Sequence, residues 1–229
     1  MKELIVIATP HARFDPVEAV LRGVGNLDIV RIRDPRELTH EALAELTPRW
    51  IFFPHWSWKI PSEIYQDFDC VVFHMTDVPF GRGGSPLQNL IARGFESTKL
   101  TALRCVEEMD AGPVYMKRDL SLLGTAEEIL IRASTMIGDM IHEIALKSPA
   151  PVPQSGEATT FKRRTPAQSD LRNATTLKEA HDLIRMLDAD GYPRAFADIG
   201  PFRIEFSRSS LRQDEILADA RISIRSTDP

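Results

Sequence analysis

An α/β fold with a mostly parallel sheet, followed by a small C-terminal α+β extension, is what the sequence predicts on three observations. Short apolar or β-branched runs recur at Leu4–Ala8, Asp28–Ile32, Trp50–Phe53 and Cys70–Phe73. Stretches of helical spacing lie between them, as in 36–46 with Leu38, Ala42, Leu43 and Leu46 on one face. The segment Ser148–Thr160 has the Pro, Ser and Gly content of a connector. Alternation of this kind implies parallel strands joined by crossover helices.

The remaining elements follow in order. After a Gly-rich loop, Leu100–Val106 and Val114–Leu122 read as two further strands. Thr125 with Glu128 forms a capping box for a helix whose apolar stripe runs Leu130, Ala133, Ile137, Met140 or Ile141, and Ile144. Thr176 with Glu179 opens another capped helix, and Phe196–Phe206 reads as a hairpin turning at Gly200-Pro201. The expected division is a main domain over 1–149 and a linker, closing segment and extension over 150–229.

A chain of 229 residues can bury a substantial core without disulfides. Cys70 and Cys105 lie in apolar runs with no CxxC spacing and read as small buried hydrophobes of a reducing compartment. The N-terminal apolar run is too short for a signal peptide, and no stretch of eighteen apolar residues occurs, so the expectation is a cytoplasmic protein with no membrane partner. A net charge of -5 gives no global field for nucleic acid, and no nucleic-acid partner is expected.

Chemistry concentrates at two strand ends. In open α/β sheets functional groups collect beyond the carboxyl ends of the strands. His55 follows Ile51-Phe52-Phe53 in FFPHWSW, and His74 follows Val71-Val72-Phe73 and leads into GRGG. Asp110, in EEMDAGPVY, supplies a carboxylate that can orient a histidine and favour its charged form. GRGG lacks the spacing of a nucleotide-phosphate loop, and there is neither a nucleophile elbow nor an HxH or HExxH metal spacing. Acid/base assistance to a transfer between two bound substrates, with no metal, is the chemistry left.

HMTDVPFGRGGSPLQNLI resembles the HPSLLPxYRGxxPIQW segment of the 10-formyltetrahydrofolate-dependent formyltransferases, MDAGPVY resembles their MDAG segment, and ATTFKRRTPAQSDLR is similar to the segment that closes the catalytic domain in sugar N-formyltransferases. The resemblance covers about residues 50–172 and implies a Rossmann-like formyltransferase domain with 10-formyltetrahydrofolate as cosubstrate. It implies His74 and Asp110 as catalytic residues, and Phe53, Pro54, Trp56, Trp58, Ile60 and Asp110 as folate contacts. Thr76, Arg82, Gly83, Gly84, Ser85, Gln88, Lys162, Arg163 and Arg164 are the implied contacts to the amine-bearing substrate.

The final third is more like enzymes that formylate amino sugars, so the implied acceptor is a nucleotide sugar, a UDP-4-amino-4,6-dideoxy sugar of pseudaminic acid type in surface-glycan biosynthesis. The residues after the connector look too few for the C-terminal domain of a tRNA enzyme. Glycinamide ribonucleotide or methionyl-tRNA as acceptor, and a non-catalytic folate- or nucleotide-sugar-binding protein, are the alternatives. The extension is compatible with a homodimer. One departure stands out: the family's catalytic asparagine, two positions before the histidine, is Val72 here. His55, at the neighbouring strand end, is the expected substitute donor, with Thr76 and Asn89 behind it.

Overall fold

Strand β1 (Glu3–Ala8) pairs in parallel with β2 (Leu27–Ile32) on one side and β3 (Trp50–Phe53) on the other, and β3 pairs in parallel with β4 (Cys70–His74). The pairing of β4 with β6 (Ser97–Arg104) is antiparallel, and β7 (Val114–Ser121) completes a sheet of order β2-β1-β3-β4-β6-β7. Strand order reverses between β1 and β3, so the mostly parallel doubly wound sheet expected from the alternation is what forms. This computed structural model describes residues 2–225.

Alternation along the strands sorts side chains to two faces. Val6, Ala8, Ile32, Ile51, Phe53 and Cys70 join one apolar cluster with Leu43 of α2 (His40–Leu46) and Ile64 of α3 (Ser62–Asp67), and Val72 packs against it. The opposite face is met by α1 (Asp15–Gly23), where Arg31 of β2 pairs with Glu18, and by α5 (Ala126–Lys147), whose Gly138 lies against Val17. The apolar stripe of α5 is buried from Leu130 to Ile144, as its spacing requires. The helix expected over 36–46 is interrupted: Asp34 caps a short 3-10 turn at Pro35–Glu37, and α2 begins only after Thr39, whose hydroxyl accepts from the Ala42 N–H.

Two units divide the chain, and the division does not fall at 149/150. The first comprises Met1–Gly83, Lys99–Leu120 and Ile131–Thr160; the second comprises Gly84–Thr98, Ser121–Leu130 and Phe161–Pro229. The connector belongs to the first because Val152 makes a two-way backbone bridge to Val114. The second gathers α4 (Pro86–Ile91) and the start of α5 around α6 (Leu177–Arg185). Its ties are Gln88 Nε2 to Met186 O and Arg185 Nη1 to the carbonyls of Leu122 and Gly124.

A ribbon of β5 (Arg82–Gly83) and β8 (Thr160–Phe161) lies apart from the main sheet. In the second unit β9 (Ala195–Ile199), β10 (Phe202–Leu211) and β11 (Ile216–Ile224) form an antiparallel sheet. The turn at Gly200-Pro201 is as expected, whereas the third strand extends beyond the hairpin read from sequence.

Gly112 ties the loop after β6 to that strand's end: a Cβ there would lie 1.8 Å from the Arg104 carbonyl oxygen. Gly112→Ala must therefore displace backbone, and the expected cost is about 3 kcal/mol, a fall in Tm of roughly 6–12 °C by thermal unfolding followed by circular dichroism. An unchanged Tm would mean that this close approach does not exist.

Candidate active site

His74 ends β4 with its ring almost fully buried between two acceptors. Nε2 lies 2.8 Å from the Gly81 carbonyl oxygen, and Nδ1 lies 3.4 Å from Asp110 Oδ2. A carbonyl oxygen only accepts, so Nε2 carries the hydrogen in this bond. Nδ1, facing the carboxylate, is then the nitrogen able to exchange a proton. The backbone N–H of Gly83 donates to the same Asp110 Oδ2 at 2.9 Å. One carboxylate oxygen thus fixes both the ring and the glycine loop, and Oδ1 takes neither contact.

The loops around this pair are held by residues that carry no motif. Gln154, inside the connector, donates from Nε2 to the carbonyls of Asp110 at 2.7 Å and Gly112 at 2.8 Å. Its Oε1 accepts from Arg82 Nη2 at 2.9 Å, and Arg82 Nη1 meets Glu108 at 3.0 Å. Thr159 accepts the Gly81 N–H on its hydroxyl at 2.8 Å and the Arg82 N–H on its carbonyl at 3.0 Å. Arg82, expected as a substrate contact, is here a brace between the glycine loop and Glu108. Thr76 Oγ1 donates to Gly81 O at 3.3 Å, so it adds a second donor to the carbonyl that His74 uses. Asp110 adopts a left-handed φ of 56°, which turns its carboxylate back toward β4.

His55 is not placed as the missing amide. Its φ of 51° bends the chain after β3, and Nε2 meets Ser134 Oγ of α5 at 3.3 Å while the ring lies edge-on to His11 at 6.2 Å. Those partners belong to the α1 and α5 face, whereas Val72 points to the other face among apolar side chains. Burial, then the proximity of His11 and Arg13, pushes the His55 imidazole down to about 3. A donor that packs against the same apolar cluster as Val72 is Trp56. Its ring packs edge-on to Phe53 at 5.9 Å, Phe53 is paired in register with Val72, and the buried indole N–H has no acceptor. Trp58 stacks edge-on against Trp56 at 4.9 Å and is partly exposed; Pro54 and Ile60 are buried at the base of this aromatic loop.

In the second unit the other expected contacts come together from two distant segments. Gly84 approaches Arg163 so closely that a Cβ would lie 2.7 Å from its Cα, and Ser85 Oγ accepts the Arg164 N–H at 3.1 Å. Asn89 Nδ2 donates to the carbonyls of Gly84, Ser85 and Lys162, which makes it a clamp rather than a reserve donor for catalysis. Gln88 is buried and engaged with Met186. Lys162 and Arg163 are exposed, while Arg164 turns into a cleft of about 330 Å³ with Ala92, Gln168, Asn173, Glu179 and Met186. Burial and the neighbouring Arg93 lower the Arg164 pKa, and its buried Nε has no acceptor.

Burial raises both thiols, Cys105 to about 11, so neither cysteine is poised as a nucleophile. Among the described residues no cluster of three or more His, Cys, Asp or Glu could hold a metal, and no helix is long and apolar enough to cross a membrane.

A buried histidine–carboxylate pair beyond the carboxyl end of a Rossmann-like sheet, flanked by an aromatic loop, defines a candidate acid/base transferase site. The family model described as methionyl-tRNA formyltransferase, C-terminal domain, matches residues 166–223. A structure titled methionyl-tRNA formyltransferase from Clostridium thermocellum is 47% identical, with a TM-score of 0.94 over 97% of this chain and 100% of that one. The chain belongs to the formyltransferase family.

The methionyl-tRNA formyltransferase of Bacillus pumilus is 24% identical over 191 residues, 80% of this chain and 59% of that protein, so the chain spans little more than half of that relative. A sugar N-formyltransferase from Shewanella sp. has a TM-score of 0.71 at 15% identity, covering 93% of this chain and 99% of that one, a likeness of fold. The residues after the connector, read from sequence as too few for the C-terminal domain of a tRNA enzyme, include the stretch 166–223 that matches that domain's model.

Because the folded-state pKa of His55 lies below the ordinary histidine value of about 6.5, its contribution to stability is present above that pH and lost as pH falls toward 3. Urea unfolding at pH 7.5 and 5.5 should cost the wild type about 1 kcal/mol more than His55→Gln, which stays neutral at both. Equal losses in the two proteins would show that His55 is solvated enough to take a proton.

Proposed function

We propose that this protein is a 10-formyltetrahydrofolate-dependent N-formyltransferase, a reading carried by the His74–Asp110 pair in a chain of this family. The amine nitrogen of the acceptor attacks the formyl carbon held on N10 of the folate and forms a C–N bond. The tetrahedral oxyanion then collapses with cleavage of the C–N10 bond. The proton lost by the amine is taken at His74 Nδ1, whose ring is kept in place by Gly81 O and Asp110, and returns to N10 of the departing tetrahydrofolate. The aromatic loop from Phe53 to Ile60 takes the pterin, and the Trp56 indole N–H, buried without an acceptor, supplies a hydrogen bond there.

The acceptor favoured by the relatives is methionyl-tRNA, since their names and the match over 166–223 both point that way. A nucleotide-linked amino sugar is the second reading. It is supported by Arg164, which among the described residues has no ion-pair partner within 4 Å and lines a cleft of small-ligand size. Incubation with 10-formyltetrahydrofolate and, in turn, methionyl-tRNA, glycinamide ribonucleotide and a panel of UDP- and dTDP-amino sugars, read by mass spectrometry of the formamide, separates them. Formylated methionyl-tRNA is expected; a formylated sugar alone selects the second reading. No product from any acceptor would sink the enzyme in favour of a folate- or nucleotide-sugar-binding protein.

His74→Gln and Asp110→Asn are each expected to lower kcat by about 10² or more, and together by little more than either alone. Trp56→Phe keeps the ring but removes the donor, and is expected to weaken folate binding or turnover about tenfold. Near-normal turnover in any of these removes that residue from the mechanism.

A further inference from the structure

The two groups that orient His74 are themselves gripped by one short stretch of the connector. Asp110 Oδ2 faces Nδ1, and Gly81 O takes the hydrogen bond from Nε2. On the Nδ1 side Gln154 Nε2 donates to the Asp110 carbonyl at 2.7 Å and to that of Gly112 at 2.8 Å. On the Nε2 side Thr159 accepts the Gly81 N–H on Oγ1 at 2.8 Å and the Arg82 N–H on its carbonyl at 3.0 Å. Thr159 thus holds the peptides on both sides of Gly81, and the second of these carries the oxygen that His74 uses.

Gln154 has no bonding capacity to spare. A primary amide offers two N–H donors and an oxygen with two lone pairs. Both donors go to carbonyls, which only accept, and the oxygen takes Arg82 Nε at 3.2 Å and Nη2 at 2.9 Å, which only donate. The partners therefore fix which way the amide points. A glutamate in its place has no donor, and a methionine has neither a donor nor a strong acceptor.

Both gripped residues have backbones that need holding. The φ of 56° at Asp110 is left-handed, uncommon for a residue with a Cβ, and it is this backbone that turns the carboxylate toward His74 and the Gly83 N–H. Gly81, at a φ of 74°, is free of that penalty but has the widest choice of other conformations to leave for.

We infer that Gln154 and Thr159 are positioning residues for the acid/base histidine: the connector sets the His74 ring from both sides, Gln154 through Asp110 and Thr159 through Gly81. The inference rests on the His74–Asp110 reading of the site and adds to it two residues that act on the ring rather than on either substrate.

Gln154→Met keeps the side-chain length without its hydrogen bonds, and Thr159→Val replaces the hydroxyl by a methyl. Each is expected to lower kcat for formyl transfer about tenfold or more, with both KM values within about twofold of wild type. Gln154→Glu keeps an acceptor for Arg82 and loses both donors, so it should be as slow as Gln154→Met. Thr159→Ser restores the hydroxyl and should recover most of the loss seen in Thr159→Val. Added to Asp110→Asn, Gln154→Met should cost no more than about a further twofold, because its effect passes through Asp110. Thermal unfolding checks that each variant is folded, and the two sites lie on separate arms, so either alone carries the test.

A second readout needs no substrate. In spectra of protein labelled with 15N-histidine, the His74 ring signals, assigned by their loss in His74→Gln, should move in Thr159→Val, and in Gln154→Met should move the way Asp110→Asn moves them. If the wild type formylates no acceptor, the transferase reading fails and this readout alone decides the positioning. Ring signals unmoved in both variants overturn the inference. So does a rise in KM at unchanged kcat, a Gln154→Glu enzyme as fast as wild type, or a Gln154→Met loss that multiplies in full with that of Asp110→Asn.

Discussion

One carboxylate oxygen, Asp110 Oδ2, is the point on which the candidate site depends. It accepts from the Gly83 N–H and faces His74 Nδ1, so the loop after β6, the glycine loop after β4 and the imidazole meet at a single oxygen. Removing the negative charge leaves the loop donor partly satisfied but leaves the ring without its orienting partner. The left-handed backbone at Asp110 and the tight approach of Gly112 to Arg104 aim that oxygen, and Gln154 holds both of their carbonyls. Strain and close packing are concentrated where orientation matters, as expected when geometry rather than core burial is the purpose.

The same arrangement shows what holds His74 in place when the residue two positions before it, Val72, is apolar. At Val72 the strand side chain enters an apolar cluster with Ile51, Phe53 and Cys70, so an amide there has no partners among these side chains. Polar support comes instead from the strand's carboxyl end and beyond: Gly81 O beneath the ring, Thr76 reinforcing that carbonyl, and Thr101 Oγ1 donating to Thr76 O at 2.8 Å. The indole N–H of Trp56 is left as the donor adjoining the apolar wall. Desolvation strengthens such lone donors toward whatever oxygen reaches them.

The alternation of apolar runs and helical spacing, the caps at Thr125 and Thr176, and the placement of His74 at a strand end were all legible in the sequence because each is set by neighbours within a few residues. The His–Asp pairing was legible as an expectation, a carboxylate able to orient a histidine, while its geometry was not. Gln154 and Thr159 carried no signal at all, because a glutamine or threonine in a Pro/Ser/Gly-rich run is recognisable as a clamp only once the loops it joins are in place. The break in the expected helix at Thr39 and the third strand of the C-terminal sheet were missed for a related reason. A cap competes with periodicity locally, and an exposed edge strand shows little of the one-sided burial that marks a core strand.

By itself the sequence determined the α/β class and the strands that carry chemistry, since periodicity and residue type are local properties of the chain; only the resemblance to a family marked Val72 as a departure. Tertiary structure alone decided that each unit draws on several separate stretches of the chain, that His55 turns to Ser134, and that Arg82 braces while Arg164 lines a cleft. Each of those outcomes depends on which distant backbone groups need hydrogen-bond partners after the sheet has formed. That requirement is set by chain direction and register, which no run of a few residues contains.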